Sequence, residues 1–107
     1  MSGQPNKRLE YLQKVTAGGS TDSFAWYGLA LEFRNLERYD EALQTFTTLR
    51  TASPDYVPMY LMCGQMLEKL SRTDEAAEWY RAGTAAARAK GDAHALSELE
   101  AALAALA

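Results

Sequence analysis

The stretch that decides the fold is Phe24–Thr51, FAWYGLALEFRNLERYDEALQTFTTLRT. Shifted by 34 residues it lies on Pro58–Ala85, PMYLMCGQMLEKLSRTDEAAEWYRAGTA. Leu36 then meets Leu70, Arg38 meets Arg72, and Asp40, Glu41 and Ala42 meet Asp74, Glu75 and Ala76. Large apolar positions coincide as well: Trp26 with Tyr60, Phe33 with Leu67, Phe46 with Tyr80. Self-similarity at such a period is the signature of a repeat architecture in which each unit buries its face on the next.

Within the first copy, Trp26, Leu29, Ala30, Phe33 and Leu36 recur at helical spacing and predict an inward stripe on a helix over about 22–36. Thr21, Asp22 and Ser23 offer N-cap side chains. A tight turn at Glu37–Tyr39 precedes Asp40 and Glu41, whose charges suit a helix start. That second helix carries Ala42, Leu43, Phe46 and Leu49 and stops before Pro54, which lacks an amide hydrogen. In the second copy the stripe is Tyr60, Cys63, Gly64, Leu67 and Leu70, with Pro58 tolerated in the first turn. Asp74–Ala77 opens a helix that carries Tyr80 and Gly83 and, with no proline to end it, runs to about Lys90.

The flanks are shorter. Leu9, Leu12 and Val15, with Tyr11 alongside, predict a helix over 6–16, and Gly18 and Gly19 stop it, glycine suiting a left-handed cap. Leu96, Leu99, Leu103 and Leu106 predict a last helix over 92–106, rich in alanine. The organisation expected is one domain, 1–107, of about six helices: a half-repeat at 6–16, full units at 23–56 and 57–90, and a cap at 92–106.

These residues resemble the tetratricopeptide repeat, a helix–turn–helix unit of 34 residues. The family's Trp-x2-Leu-Gly-x2-Tyr element is matched by Trp26, Leu29, Ala30 and Phe33, then by Tyr60, Cys63, Gly64 and Leu67. Its Ala-x3-Phe element is matched by Ala42 and Phe46, then Ala76 and Tyr80, and its closing proline by Pro54. Ala30 and Gly64 are expected where two helices press closest, with Ala42 and Ala76 as small partners across the contact. A third unit in strict register would place His94, Ser97, Glu98 and Ala101 at the signature positions; a shift of two places Leu96, Leu99, Glu100 and Leu103 there instead. The shifted register is preferred, because the preceding helix lacks a terminating proline.

The resemblance implies an all-α, right-handed α-solenoid that binds a peptide or helix of another protein on the concave surface of the first helices, as an adaptor or scaffold. The residues on that surface are Phe24, Tyr27, Leu31, Arg34 and Asn35, then Leu61, Met62, Gln65, Glu68 and Lys69. The stripe does not need Phe24, Tyr27, Leu31, Leu61 or Met62, and grouped apolar residues spare to a core mark interaction surfaces. One family branch grips acidic chaperone tails with Lys, Arg and Asn; the apolar strip here suits an amphipathic helix or extended apolar peptide better. The alternative is a structural module that self-associates, a homodimer through the alanine-rich last helix.

Composition narrows the function classes. The chain is 48% apolar and 23% charged, with net charge −3 and a pI near 5.1, which argues against a nucleic-acid partner. Cys63 is the single cysteine, so no internal disulfide and no cysteine-rich zinc site is expected. Its place on the stripe reads as core filler rather than a reactive thiol. His94 has no partners for a triad or a metal site, and the Asp-Glu pairs at 40–41 and 74–75 are explained by helix starts. Gly18–Thr21 lacks the lysine of a phosphate loop. No catalytic residue, cofactor or metal is therefore expected. Trp79, opposite Thr45 in the alignment, is expected to cover the last helix or to mark a second contact surface. The polar N-terminus and the absence of a long apolar run predict a reduced, cytoplasmic protein with no membrane association.

Overall fold

The computed structural model describes residues 6–107. Among these, six helices follow in order: α1 (Lys7–Ala17), α2 (Ser23–Asn35), α3 (Tyr39–Ala52), α4 (Pro58–Lys69), α5 (Thr73–Lys90) and α6 (Ala93–Ala105). No strand occurs among the described residues. Contacts divide the chain into two compact units, residues 1–49 and 50–107, so that α3 gives its last residues to the second.

The helix boundaries follow local chemistry. Asn6 caps α1 through its side-chain oxygen, which accepts from the Leu9 amide at 2.8 Å. Asp22 caps α2 by accepting from Phe24, and Asp92 caps α6 by accepting from Ala95. Such caps satisfy amides that the first helical turn leaves without a partner. Pro58 takes the opening position of α4, where its missing N–H costs nothing. Gly91 ends α5 in the left-handed region, φ 70°.

The turns inside the two repeats match at the level of single hydrogen bonds. Arg38 N–H donates to Phe33 C=O at 2.9 Å, and Arg72 N–H donates to Leu67 C=O at 2.9 Å. Each arrangement requires a left-handed residue, and the two are Glu37 (φ 60°) and Ser71 (φ 61°). Neither is the glycine that this conformation favours. We expect Ser71→Gly to stabilise the protein by about 0.5–1 kcal/mol. Thermal unfolding checks it: Tm should rise by a few degrees, and an unchanged or lower Tm would contradict the strain at this turn. Behind each turn an arginine spans the first helical turn to a glutamate. Arg38 Nε lies 2.6 Å from Glu41, and Arg72 Nε lies 2.6 Å from Glu75. These bonds hold both carboxyls below the usual range, so Glu41 and Glu75 are ion-pair partners as well as charges at a helix start.

In the first unit α1 packs on α2. Leu9 and Leu12 are buried, and a Cβ at Gly28 would meet Leu12 and the Arg8 guanidinium at ordinary contact distance. Arg8 and Asn6 both donate to the Glu32 carboxylate. Two expectations need correction here. Thr16 rather than Val15 is buried, its hydroxyl donating to Leu12 C=O at 2.8 Å. Leu36, expected on the inward stripe, is 42% exposed. It is the C-cap of α2, and the chain turns away at Glu37 before helical spacing can aim it at the core.

In the second unit α4 packs on α5 and α5 on α6, with a smaller α4–α6 contact. The closest approaches lie at two glycines. A Cβ at Gly64 would fall 2.2 Å from the Tyr80 ring, and one at Gly83 would fall 2.6 Å from Tyr60 Cβ and 2.9 Å from a Leu99 methyl. The nearest neighbour of Gly64 is thus the ring of Tyr80. Tyr80 is fully buried, and its hydroxyl donates to the Glu68 carboxylate. Leu99 is the one buried residue of α6, whereas His94, Ser97, Glu98 and Ala101 are exposed. Of the shifted register's positions Leu99 is buried, Leu96 and Leu103 are half-buried, and Glu100, at the signature's glycine, is exposed and paired with Arg88.

Candidate protein-binding surface and a cavity in the first unit

On α2 the residues Phe24, Tyr27, Leu31, Arg34 and Asn35 fall within about 100° of helix circumference. Phe24 is 68% exposed, Asn35 is exposed, and Tyr27, Leu31 and Arg34 are half-buried. The Arg34 guanidinium donates to Asn35 Oδ1 at 3.0 Å, so these two polar residues form one group. Helix α1 covers the neighbouring side, at Gly28 and Glu32, and leaves Phe24 outside its contact. Tyr11 of α1 is exposed to a similar degree, 66%, and a single exposed ring is ordinary; what marks α2 is that Phe24 shares its arc with Tyr27 and Leu31.

On α4 the residues Leu61, Met62, Gln65, Glu68 and Lys69 fall within a similar arc of about 120°. Leu61 and Met62 are half-buried; Gln65, Glu68 and Lys69 are exposed. Glu68 has a structural duty in addition, since it receives the Tyr80 hydroxyl. Burial, with that bond, pushes the Tyr80 phenol up.

The rest of the second unit's chemistry is internal. Cys63 is fully buried and burial pushes its thiol up, which leaves the sulfur as core filler. His94 is exposed at the start of α6, 3.4 Å from Glu98. Among the described residues, no group of three or more His, Cys, Asp and Glu is gathered as metal ligands would be. No described helix is long and apolar enough to cross a membrane.

Trp79 is a core residue and not a second contact surface. Its ring is buried against Tyr60, centroids 5.8 Å apart, and the Arg50 guanidinium stacks over it at 4.7 Å. Arg50 also donates to both oxygens of Glu78, at 2.8 and 2.7 Å, which holds the Glu78 carboxyl below the usual range. The first unit places its aromatic bulk differently, with Trp26 and Phe33 where the second has Tyr60 and Leu67. Thr45 stands where the alignment puts Trp79, its hydroxyl turned back to Glu41 C=O at 2.7 Å. Beside it lies an open cavity of about 270 Å³ lined by Trp26, Phe33, Glu41, Gln44, Thr45 and Thr48.

Comparison with known proteins agrees with this geometry. A tetratricopeptide repeat family model matches residues 25–56. A tetratricopeptide repeat domain protein from Salinibacter ruber, determined by NMR in solution, is 38% identical with a TM-score of 0.76, over 79% of this chain and 86% of that one. The chain belongs to the tetratricopeptide repeat family. A crystal structure of a tetratricopeptide repeat domain protein from the same organism is also 38% identical, with a TM-score of 0.73 over 79% of this chain and 94% of that one. A search of curated proteins finds no match. Tetratricopeptide repeat folds are helical solenoids that generally mediate protein–protein interaction and are generally non-enzymatic, and the six described helices fit that class.

Proposed function

We propose that this tetratricopeptide repeat protein binds a peptide or helix of another protein through the outward residues of α2 and α4, acting as an adaptor in a larger assembly. The observation that carries this reading is Phe24, 68% exposed on an arc it shares with Tyr27 and Leu31. A mixed apolar and polar arc of this kind suits an amphipathic segment, whose apolar side would meet Phe24 and Leu31 on α2 while Arg34 and Asn35 pair at the rim; α4 offers Leu61, Met62 and Lys69 in the same way. Replacing Tyr27 and Leu61 together by glutamate should remove partner capture from source-cell extract while circular dichroism and Tm stay close to wild type. Capture that survives in the folded double variant would reject these residues as the contact surface.

A second reading, self-association through α6, has its own observation. Leu96, Leu103 and Leu106 are half-buried, and Ala93, Ala101, Ala104 and Ala105 are exposed. Light scattering coupled to gel filtration separates the two: a monomer at tens of micromolar would remove obligate self-association, and a dimer abolished by Ala101→Arg would support it.

A further inference from the structure

We propose that α6 of one chain packs against α1 of a second copy, so that the two end helices complete a repeat between them. The inference deepens the self-association reading and rests on it, and it names what α6 meets: the neighbour's α1 and not a second α6.

The repeat period assigns the two end helices to opposite halves of a unit. Two periods along the chain, Arg8, Tyr11 and Val15 of α1 fall on Ala76, Trp79 and Gly83 of α5. All three are buried in α5, and two of them stand against α4. Trp79 pairs with the Tyr60 ring at 5.8 Å, and a Cβ at Gly83 would meet Tyr60 Cβ. Helix α1 is therefore a second helix of a unit, and the side that faces a first helix stays open. Tyr11 is 66% exposed, Arg8 is exposed and Val15 is half-buried.

Helix α6 is the complement. In the shifted register Leu96, Glu100 and Leu103 fall on Tyr60, Gly64 and Leu67 of α4. All three are buried in α4, Tyr60 against Trp79 and Gly64 against Tyr80 of α5. In α6, by contrast, Leu96 and Leu103 are half-buried and Glu100 is exposed. Each end helix thus leaves open the side on which the other half of a unit sits in the second repeat. The template places Tyr11 on Leu96 of the neighbouring copy and Arg8 beside its Glu100.

Charge selects this pairing over two α6 helices face to face. Helix α1 carries Lys7, Arg8 and Lys14 against Glu10. Helix α6 carries Glu98 and Glu100, has Asp92 at its N-cap, and holds no Lys or Arg. Opposite charges beside apolar contacts favour α6 on α1, whereas two acidic helices repel. Lys7, Tyr11, Lys14 and Val15 lie within about 100° of circumference, as do Leu96, Glu100, Leu103 and Ala104. Glu100 stands where a closely packed repeat has glycine, and Arg8, at the alanine position, meets it with the opposite charge. The present Arg88–Glu100 pair at 3.3 Å is exposed, and such pairs exchange at little cost. The contact is heterologous, so every pair of chains keeps one α1 and one α6 open to further copies.

The test is light scattering coupled to gel filtration on the whole chain and two variants. Wild type should exceed the mass of one chain, with a Kd on the order of 10 μM, weak because one helix pair is a small interface. Tyr11→Glu and Glu100→Arg should each run as one chain with unchanged circular dichroism, since both side chains are exposed. Mixed in equal amounts, the two variants should form a species of two chains. The intact α6 of the first then meets the intact α1 of the second. Wild type that stays a single chain at tens of micromolar removes self-association altogether. Tyr11→Glu that associates as wild type does would leave the α6 reading standing and remove this one. Two monomeric variants that fail to combine would also overturn the pairing of α1 with α6.

Discussion

Gly64→Ala destabilises the protein by about 3 kcal/mol, in the upper range for overpacking a tight core, and lowers Tm by roughly 15 °C. The sign is the informative part. Alanine for glycine inside a helix ordinarily stabilises by about 1 kcal/mol, because glycine is the poorer helix former. At Gly64 the new Cβ would stand 2.2 Å from Tyr80 Cε1, 2.7 Å from Cδ1 and 2.8 Å from Cζ. The ring cannot slide aside, since Tyr80 is fully buried and Glu68 holds its hydroxyl. Gly28→Ala is the control. Its Cβ would meet only the Arg8 side chain at 3.4 Å and Leu12 methyls at 3.6 Å, so propensity wins and Tm rises slightly. The first repeat carries Ala30 and Phe46 at the positions of Gly64 and Tyr80. Tyr80→Phe frees the ring from Glu68 and should recover part of the Gly64→Ala loss, a coupling that a double-mutant cycle reads directly. Urea unfolding of the four proteins checks it; strict additivity would contradict the contact.

Trp79→Thr has the second large effect, a loss of about 3–4 kcal/mol, in line with removal of a buried aromatic side chain. Three interactions end with the ring: its burial, its pairing with Tyr60, and the stacked Arg50 guanidinium. Arg50 keeps Glu78 at 2.7 Å but loses the surface that orients it. The substitution copies what the first repeat carries at Thr45, so the variant should fold and open a cavity rather than collapse. Equilibrium unfolding measures the loss. A cost under about 1 kcal/mol would mean that Trp79 lies on the surface in solution and not in the core.

How much of this was legible in the chain differs by scale. The 34-residue period, the turns, Pro58 at the head of α4 and the long α5 all follow from residue type and spacing. Local rules govern them, and local rules are written in short windows. Leu36 was misplaced because helical spacing was extended one residue past the last helical position, where the left-handed Glu37 takes over. Thr16 displaced Val15 because a threonine hydroxyl can satisfy itself on Leu12 C=O and then count as apolar volume.

The side-chain reach of the repeat was less legible. Gly64 reads as a close helix contact, but which atoms make it depends on where a ring sixteen residues away comes to rest, so Tyr80 was read as a filler and not as the neighbour. Arg50 and Glu78 lie 28 residues apart and announce nothing in either sequence window. The outward residues follow from helical spacing on α2 and on α4 separately; on α2 Phe24 is exposed, while Tyr27, Leu31 and Arg34 are half-buried.

The central claim, that a protein partner contacts the outward residues of α2 and of α4, is tested most directly by site-specific photo-crosslinking in the source cell. A photoreactive phenylalanine analogue is placed in turn at Leu31, at Gln65 and, as control, at the exposed Arg81 of α5. The account predicts one discrete adduct of the same partner from Leu31 and Gln65 and none from Arg81. Adducts from Arg81 alone, or none from Leu31 and Gln65 in the folded protein, would contradict it.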